Sequence, residues 1–69
     1  MVEIGAKYRH FKGREYEVIA VAKDSENLKP MVVYRALYGE GQVWVRPMDM
    51  FEEIIERDGV VHRRFEKIG

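Results

Sequence analysis

"MVVYRALYGEGQVWVRP", residues 31–47, carries the strongest fold signal in the chain. Two runs rich in valine and aromatic residues flank "GEG" at 39–41. Such side chains suit a pleated, half-buried surface, and glycine permits a tight reversal. The stretch therefore predicts two antiparallel strands, "MVVYRAL" and "QVWVR", joined by a hairpin. Pro47 ends the second strand, and Arg46 before it is biased towards extended backbone. Trp44 and Arg46 share one face of that strand because side chains alternate with period two. Arg35, across the turn, joins them or points away according to a register that the sequence leaves open.

Working outward, "KYRHFKGREYEVIAVAK" (7–23) predicts two more strands joined at Lys12-Gly13, the second running from about Glu15 to Lys23. "DSENLKP" (24–30) is a polar loop in which Asp24, Ser25 and Asn27 compete with regular backbone pairing. After Pro47, "MDMF" (48–51) reads as a single helical turn. "EIIE" and "VVHR" then flank Asp58-Gly59, a strong hairpin signal, and Phe65 and Ile68 follow as apolar anchors. Five or six short strands in 69 residues predict one all-β domain, a small SH3-like barrel over residues 1–69 with a helical turn at 48–51.

The three middle strands are apolar on both faces. Val18 and Ala20 are expected to face one way and Ile19 and Val21 the other; Met31 and Val33 oppose Val32 and Tyr34, and Val43 and Val45 oppose Trp44. A sheet apolar on both faces needs cover on both. Barrel closure supplies one, and Phe51, Ile54, Ile55, Phe65 and Ile68 are expected to supply the other, ahead of a second subunit.

Composition narrows the function classes. Twelve basic and twelve acidic residues give zero formal charge, which ranks nucleic acid below small-molecule or peptide ligands. The longest apolar run is "VIAVA", too short for a membrane span, and "MVEIGAKYRH" lacks a secretory leader, so a cytoplasmic protein is expected. There is no cysteine or threonine, Ser25 is the lone serine, and His10 and His62 lie at opposite ends of the chain. No spacing suggests a catalytic triad, a metal cage or a phosphate-binding glycine loop, so no cofactor, metal or catalytic residue is assigned.

What remains is an aromatic and cationic set, Tyr8, His10, Tyr34, Arg35, Tyr38, Trp44 and Arg46, in which His10, Arg35, Trp44, Arg46, Tyr8 and Tyr34 are the candidate ligand-binding residues. Aromatic faces stack on flat ligands, and arginine gives bidentate recognition of carboxylate or phosphate. The competing reading makes Trp44 a core residue with its indole N–H bonded to a carbonyl. Arg46 would then lay its stem over apolar surface and keep its charge in water.

These residues also carry a resemblance. "YRHFKGREYEV" (8–18), "VVYRALYGEG" (32–41) and "WVRP" (44–47), with "SE" (25–26), "MF" (50–51), "DG" (58–59) and "RF" (64–65), resemble a family of short bacterial proteins, domain of unknown function 1653. Asp24, Lys29-Pro30 and Arg63 depart from its pattern. The resemblance implies a small intact domain and no particular reaction.

Three functions follow as expectations. The first is a non-enzymatic module, monomer or weak homodimer, that binds a small anionic ligand or a peptide on the aromatic and arginine surface. The second is a structural domain that self-associates through its apolar sheet. The third is an enzyme with His10 as acid or base beside a carboxylate.

Overall fold

The computed structural model describes residues 2–69, which form seven strands and one short helix. In chain order these are β1 (Lys7–His10), β2 (Glu15–Lys23), β3 (Pro30–Ala36), β4 (Val43–Pro47), α1 (Met48–Phe51), β5 (Ile54–Arg57), β6 (Val60–Arg63) and β7 (Phe65–Lys67). The all-β class and the helical turn at 48–51 are as the sequence predicts. The strand count is higher, because the segment expected only to anchor the C-terminus pairs with β1 as a seventh strand, with His10 opposite Phe65.

The main sheet runs β4-β3-β2-β1-β7, antiparallel at every step, and β5-β6 forms a separate hairpin. Among the described residues no ladder joins β4 to β7, so hydrogen bonding does not close the sheet into the expected barrel. Side chains cover its concave face instead. Phe51 from α1 and Phe65 from β7 stack with ring centroids 4.1 Å apart and planes 3° off parallel. Tyr8 and Tyr34 meet Phe51 edge-on at 5.3 and 5.5 Å. With Ala6, Val18 and Val32 these four rings form the buried cluster.

A register shift between Val18 and Ala20 corrects one expectation. Val18 pairs with Tyr34 on the concave face, whereas Ala20 pairs with Val33 on the convex one. The extra residue, Ile19, breaks the period-two alternation, as a bulge does. Beyond it, Ala22 opposite Met31 joins Ala20 and Val33 on the convex face.

The expected cover is half realised. Phe51 and Phe65 are buried, but Ile54 is 61% exposed and Ile68 37%. On the convex face Val43 and Val45 are left 50% and 59% exposed. The C-terminal segment curls onto the concave side only, because α1 follows directly from β4 and β7 pairs at the far edge of the sheet.

The β5-β6 hairpin turns at Asp58-Gly59, both left-handed, with φ of 53° and 76°. This is the backbone of the tight turn that the dipeptide favours. Its base is closed by Arg64 N–H to the Glu53 carbonyl (2.8 Å) and an Arg64–Glu53 ion pair (2.6 Å), and Phe11 N–H to the Arg64 carbonyl (3.0 Å) ties it to the β1–β2 turn. Val60 and Val61 stand in solvent.

Candidate ligand-binding groove

Cross-strand pairing settles which way β4 faces. Trp44 lies opposite Tyr34 and Arg46 opposite Val32, so both project from the concave face with the core. Arg35 lies opposite Val43 and Glu17, on the convex face. Trp44 nevertheless fills no core: β4 is the sheet's edge strand, Phe65 reaches Arg46 on it but, among the described residues, no ring packs on the indole, and Trp44 is 49% exposed. Tyr8 is buried, and its hydroxyl accepts the Glu3 N–H at 2.9 Å. Of the six residues named from sequence, His10, Tyr34, Trp44 and Arg46 come together. Arg35 and Tyr8 stand apart from them.

Sequence reasoning left out Lys12, Arg14 and Tyr16 as site residues, and with Tyr38 they complete the groove. The β1–β2 connection is a four-residue turn, closed by His10 N–H to the Arg14 carbonyl at 2.8 Å, with Gly13 at φ 106°. That backbone is open to glycine and strained for other residues. It delivers Lys12 and Arg14 to a depression of about 190 Å³ shared with His10, Tyr16, Tyr34 and Arg46. An adjoining depression of about 240 Å³ shares Tyr16, Tyr34 and Arg46 and adds Tyr38 and Trp44. Tyr16 was legible in principle, since period two from buried Val18 places it on the same face.

Larger hollows lie beside the β5-β6 hairpin, about 460 Å³, and at the C-terminal edge, about 360 Å³. Both mix arginines with glutamates in their walls, so neither presents a charge of one sign.

The aromatic rings of the groove brace one another. Tyr16 meets Tyr34, Tyr38 and Phe65 edge-on at 5.3, 5.5 and 5.6 Å. The Tyr16 and Tyr38 hydroxyls are 2.7 Å apart. Burial, then that hydrogen bond, pushes the Tyr16 phenol up to about 12. The cations rest on the same rings: the Arg14 guanidinium lies 4.5 Å from the Tyr38 centroid and that of Arg46 5.6 Å from Phe65. Arg46 Nε donates to the Tyr34 hydroxyl at 3.2 Å, which fixes the side chain and leaves its terminal N–H groups available.

The charge at this end is one-sided. Among the described residues the ion pairs are Arg9–Glu15, Arg64–Glu53 and Lys67–Glu3; Lys12, Arg14 and Arg46 join none of them. His10 sits edge-on to Phe65 at 4.9 Å, and its Nδ1 accepts the Lys12 N–H at 3.2 Å. Burial first, then the positive charges of Arg46, Arg64 and Lys12, hold its imidazole below the ordinary value. All three charges acting on it are cationic, and the carboxylate of Glu66 shares only the wider hollow beside the β5-β6 hairpin with it. Among the described residues, no three His, Cys, Asp or Glu side chains gather as a metal-ligand set, and no helix is long and apolar enough to cross a membrane.

The model of the family "Protein of unknown function (DUF1653)" matches residues 6–67. The chain belongs to this family. A crystal structure of a DUF1653 protein from Bordetella bronchiseptica superposes with a TM-score of 0.85 at 26% identity, covering 97% of this chain and 88% of that one. No curated protein matches. In this DUF1653 chain, the "YRHFKG" motif thus supplies β1 and the cationic turn, "VVYRALYG" the aromatic floor, and "WVRP" the edge strand that carries Trp44 and Arg46.

Proposed function

We propose that this DUF1653 domain is a non-enzymatic binding module for a small anionic ligand with a planar part, held in the concave groove. The observation that carries the proposal is the convergence of Lys12, Arg14 and Arg46, none ion-paired among the described residues, on a floor of Tyr16 and Tyr34 beside a half-exposed Trp44. Exposed cations ordinarily find carboxylate neighbours or disperse in solvent. Here aromatic faces hold two guanidiniums in place, which lowers the ordering cost of binding an anion. Trp44 is the natural reporter. Titrating a panel of planar anions should quench or shift its fluorescence, and should perturb the amides of His10, Lys12 and Arg14. An unchanged spectrum across the panel, with those amides still, counts decisively against the proposal.

A second reading, self-association, is favoured by the convex face. Val43 and Val45 are exposed there, and β4 presents an unpaired edge. Apolar edge strands invite pairing with another chain. Light scattering at increasing concentration should show a dimer that Val45→Lys dissociates; a strict monomer at high concentration removes this reading.

A further inference from the structure

We infer that the groove's ligand is a nucleoside 5′-phosphate, its phosphate held by Lys12, Arg14 and Arg46 and its base laid on Trp44; this rests on the anion-binding reading above. Charge supports it first. A carboxylate carries one negative charge and is satisfied by one bidentate arginine, whereas a phosphomonoester carries about −1.5 to −2 at pH 7 and offers three strong acceptor oxygens. Lys12, Arg14 and Arg46 bring three positive charges to one depression, with no carboxylate paired to any of them among the described residues. The donors are also of the right kind. Arg46 keeps its terminal N–H groups after its Nε is committed to Tyr34, Arg14 offers a second planar fork, and Lys12 adds a point charge.

The second depression has a different character. Its walls include Tyr38 and Trp44, and among the described residues Trp44 is the one large ring there with no other ring against it. A flat heterocycle stacks on such a face, and stacking tolerates any base. The two depressions, about 190 and 240 Å³, meet along Tyr16, Tyr34 and Arg46. Each alone falls below the roughly 300–1,000 Å³ of pockets that enclose a drug-sized ligand. A molecule with an anionic group in one and a ring in the other uses both, with its linking sugar over the shared arginine.

Size and charge also argue for one nucleotide rather than a strand. A strand follows a track of cations, each of which neutralises a phosphate. Here three cations, Lys12, Arg14 and Arg46, meet in one depression rather than along a track, and the chain as a whole has zero formal charge.

The test is a ¹H–¹⁵N shift titration of the full chain, with Trp44 fluorescence in parallel. The probes are AMP and UMP, adenosine, ribose 5-phosphate, and indole-3-carboxylate as a planar anion that is not a nucleotide. AMP and UMP should shift the amides of His10, Lys12 and Arg14 and the Trp44 indole N–H together. Adenosine and ribose 5-phosphate should each bind at least about tenfold more weakly, since each lacks one half of the recognition. Trp44→Ala should weaken AMP about tenfold, and the double change Lys12→Gln with Arg14→Gln by more, while leaving the urea midpoint near wild type because all three side chains are exposed. If indole-3-carboxylate moves these resonances and the nucleotides do not, the nucleotide assignment falls and the anion-binding reading stands. If no probe moves them, both fall. AMP shifts confined to the convex face overturn the assignment as well.

Discussion

Replacing Phe51 by alanine should bring this domain to the edge of unfolding. Phe51 is 1% exposed, stacks on Phe65 at 4.1 Å, and receives the edges of Tyr8 and Tyr34. Rings of that size cannot collapse into the gap that its removal leaves, so lost transfer energy and a residual cavity add together. Such truncations cost about 3–5 kcal/mol. A domain of 69 residues, at roughly 0.05–0.15 kcal/mol per residue, has about 3.5–10 kcal/mol in total. With a urea slope near 1 kcal/mol/M for so short a chain, a loss of about 3 kcal/mol moves the midpoint by about 3 M. Far-UV circular dichroism in urea measures this. It also reads the companion variant Trp44→Ala, whose fluorescence is gone. Trp44 is half exposed at the sheet edge, so its truncation should cost about 1 kcal/mol or less. Equal losses for the two variants would refute the assignment of Phe51 to the core and Trp44 to the rim. So would a Phe51→Ala midpoint within about 0.5 M of wild type.

Three further outcomes are expected. In an ultraviolet titration one tyrosine, Tyr16, should ionise at about 12, and Tyr38→Phe should lower that value while burial keeps it above the ordinary phenol range. Because the unfolded phenol ionises first, stability should fall as pH rises from about 10 towards 12; a titration with every tyrosine near 10 contradicts the geometry. His10 should titrate below the ordinary imidazole value, with Arg46, Arg64 and Lys12 opposing its protonation. The unfolded state then takes up the proton more readily, so stability should decline as pH falls from about 6.5 through the lower folded value, a slope that His10→Gln removes. Amides of β5 and β6 should exchange orders of magnitude faster than those of β2 and β3, since a two-stranded hairpin with exposed Val60 and Val61 opens locally at little cost. Equal protection would show that the hairpin unfolds only with the whole chain.

Local chemistry carried most of the strand map. Lys12-Gly13, "GEG" and Asp58-Gly59 reverse the chain for backbone reasons that need no distant partner, and the runs between them have the composition of strands. The period of two likewise places Trp44 and Arg46 on one face, opposite Val43 and Val45, as the pairing of β3 with β4 bears out. The C-terminal strand was illegible because three residues, "FEK", have no strand pattern of their own; they extend only because β1 offers an edge.

The all-β class, the turns and the stock of cationic and aromatic residues are legible along the chain. Which of those residues meet depends on the folded sheet. Arg35 and Arg46 are both strand arginines, yet cross-strand register sends one to the convex face and the other to the groove. The bulge at Ile19 reverses the alternation beyond Val18, and no local signal announces it. Trp44 faces the core side and still meets solvent, because exposure depends on how far Phe51 and Phe65 reach across the sheet. Those are relations between segments distant in the chain. They follow from long-range pairing and packing, which a period read along one strand does not contain.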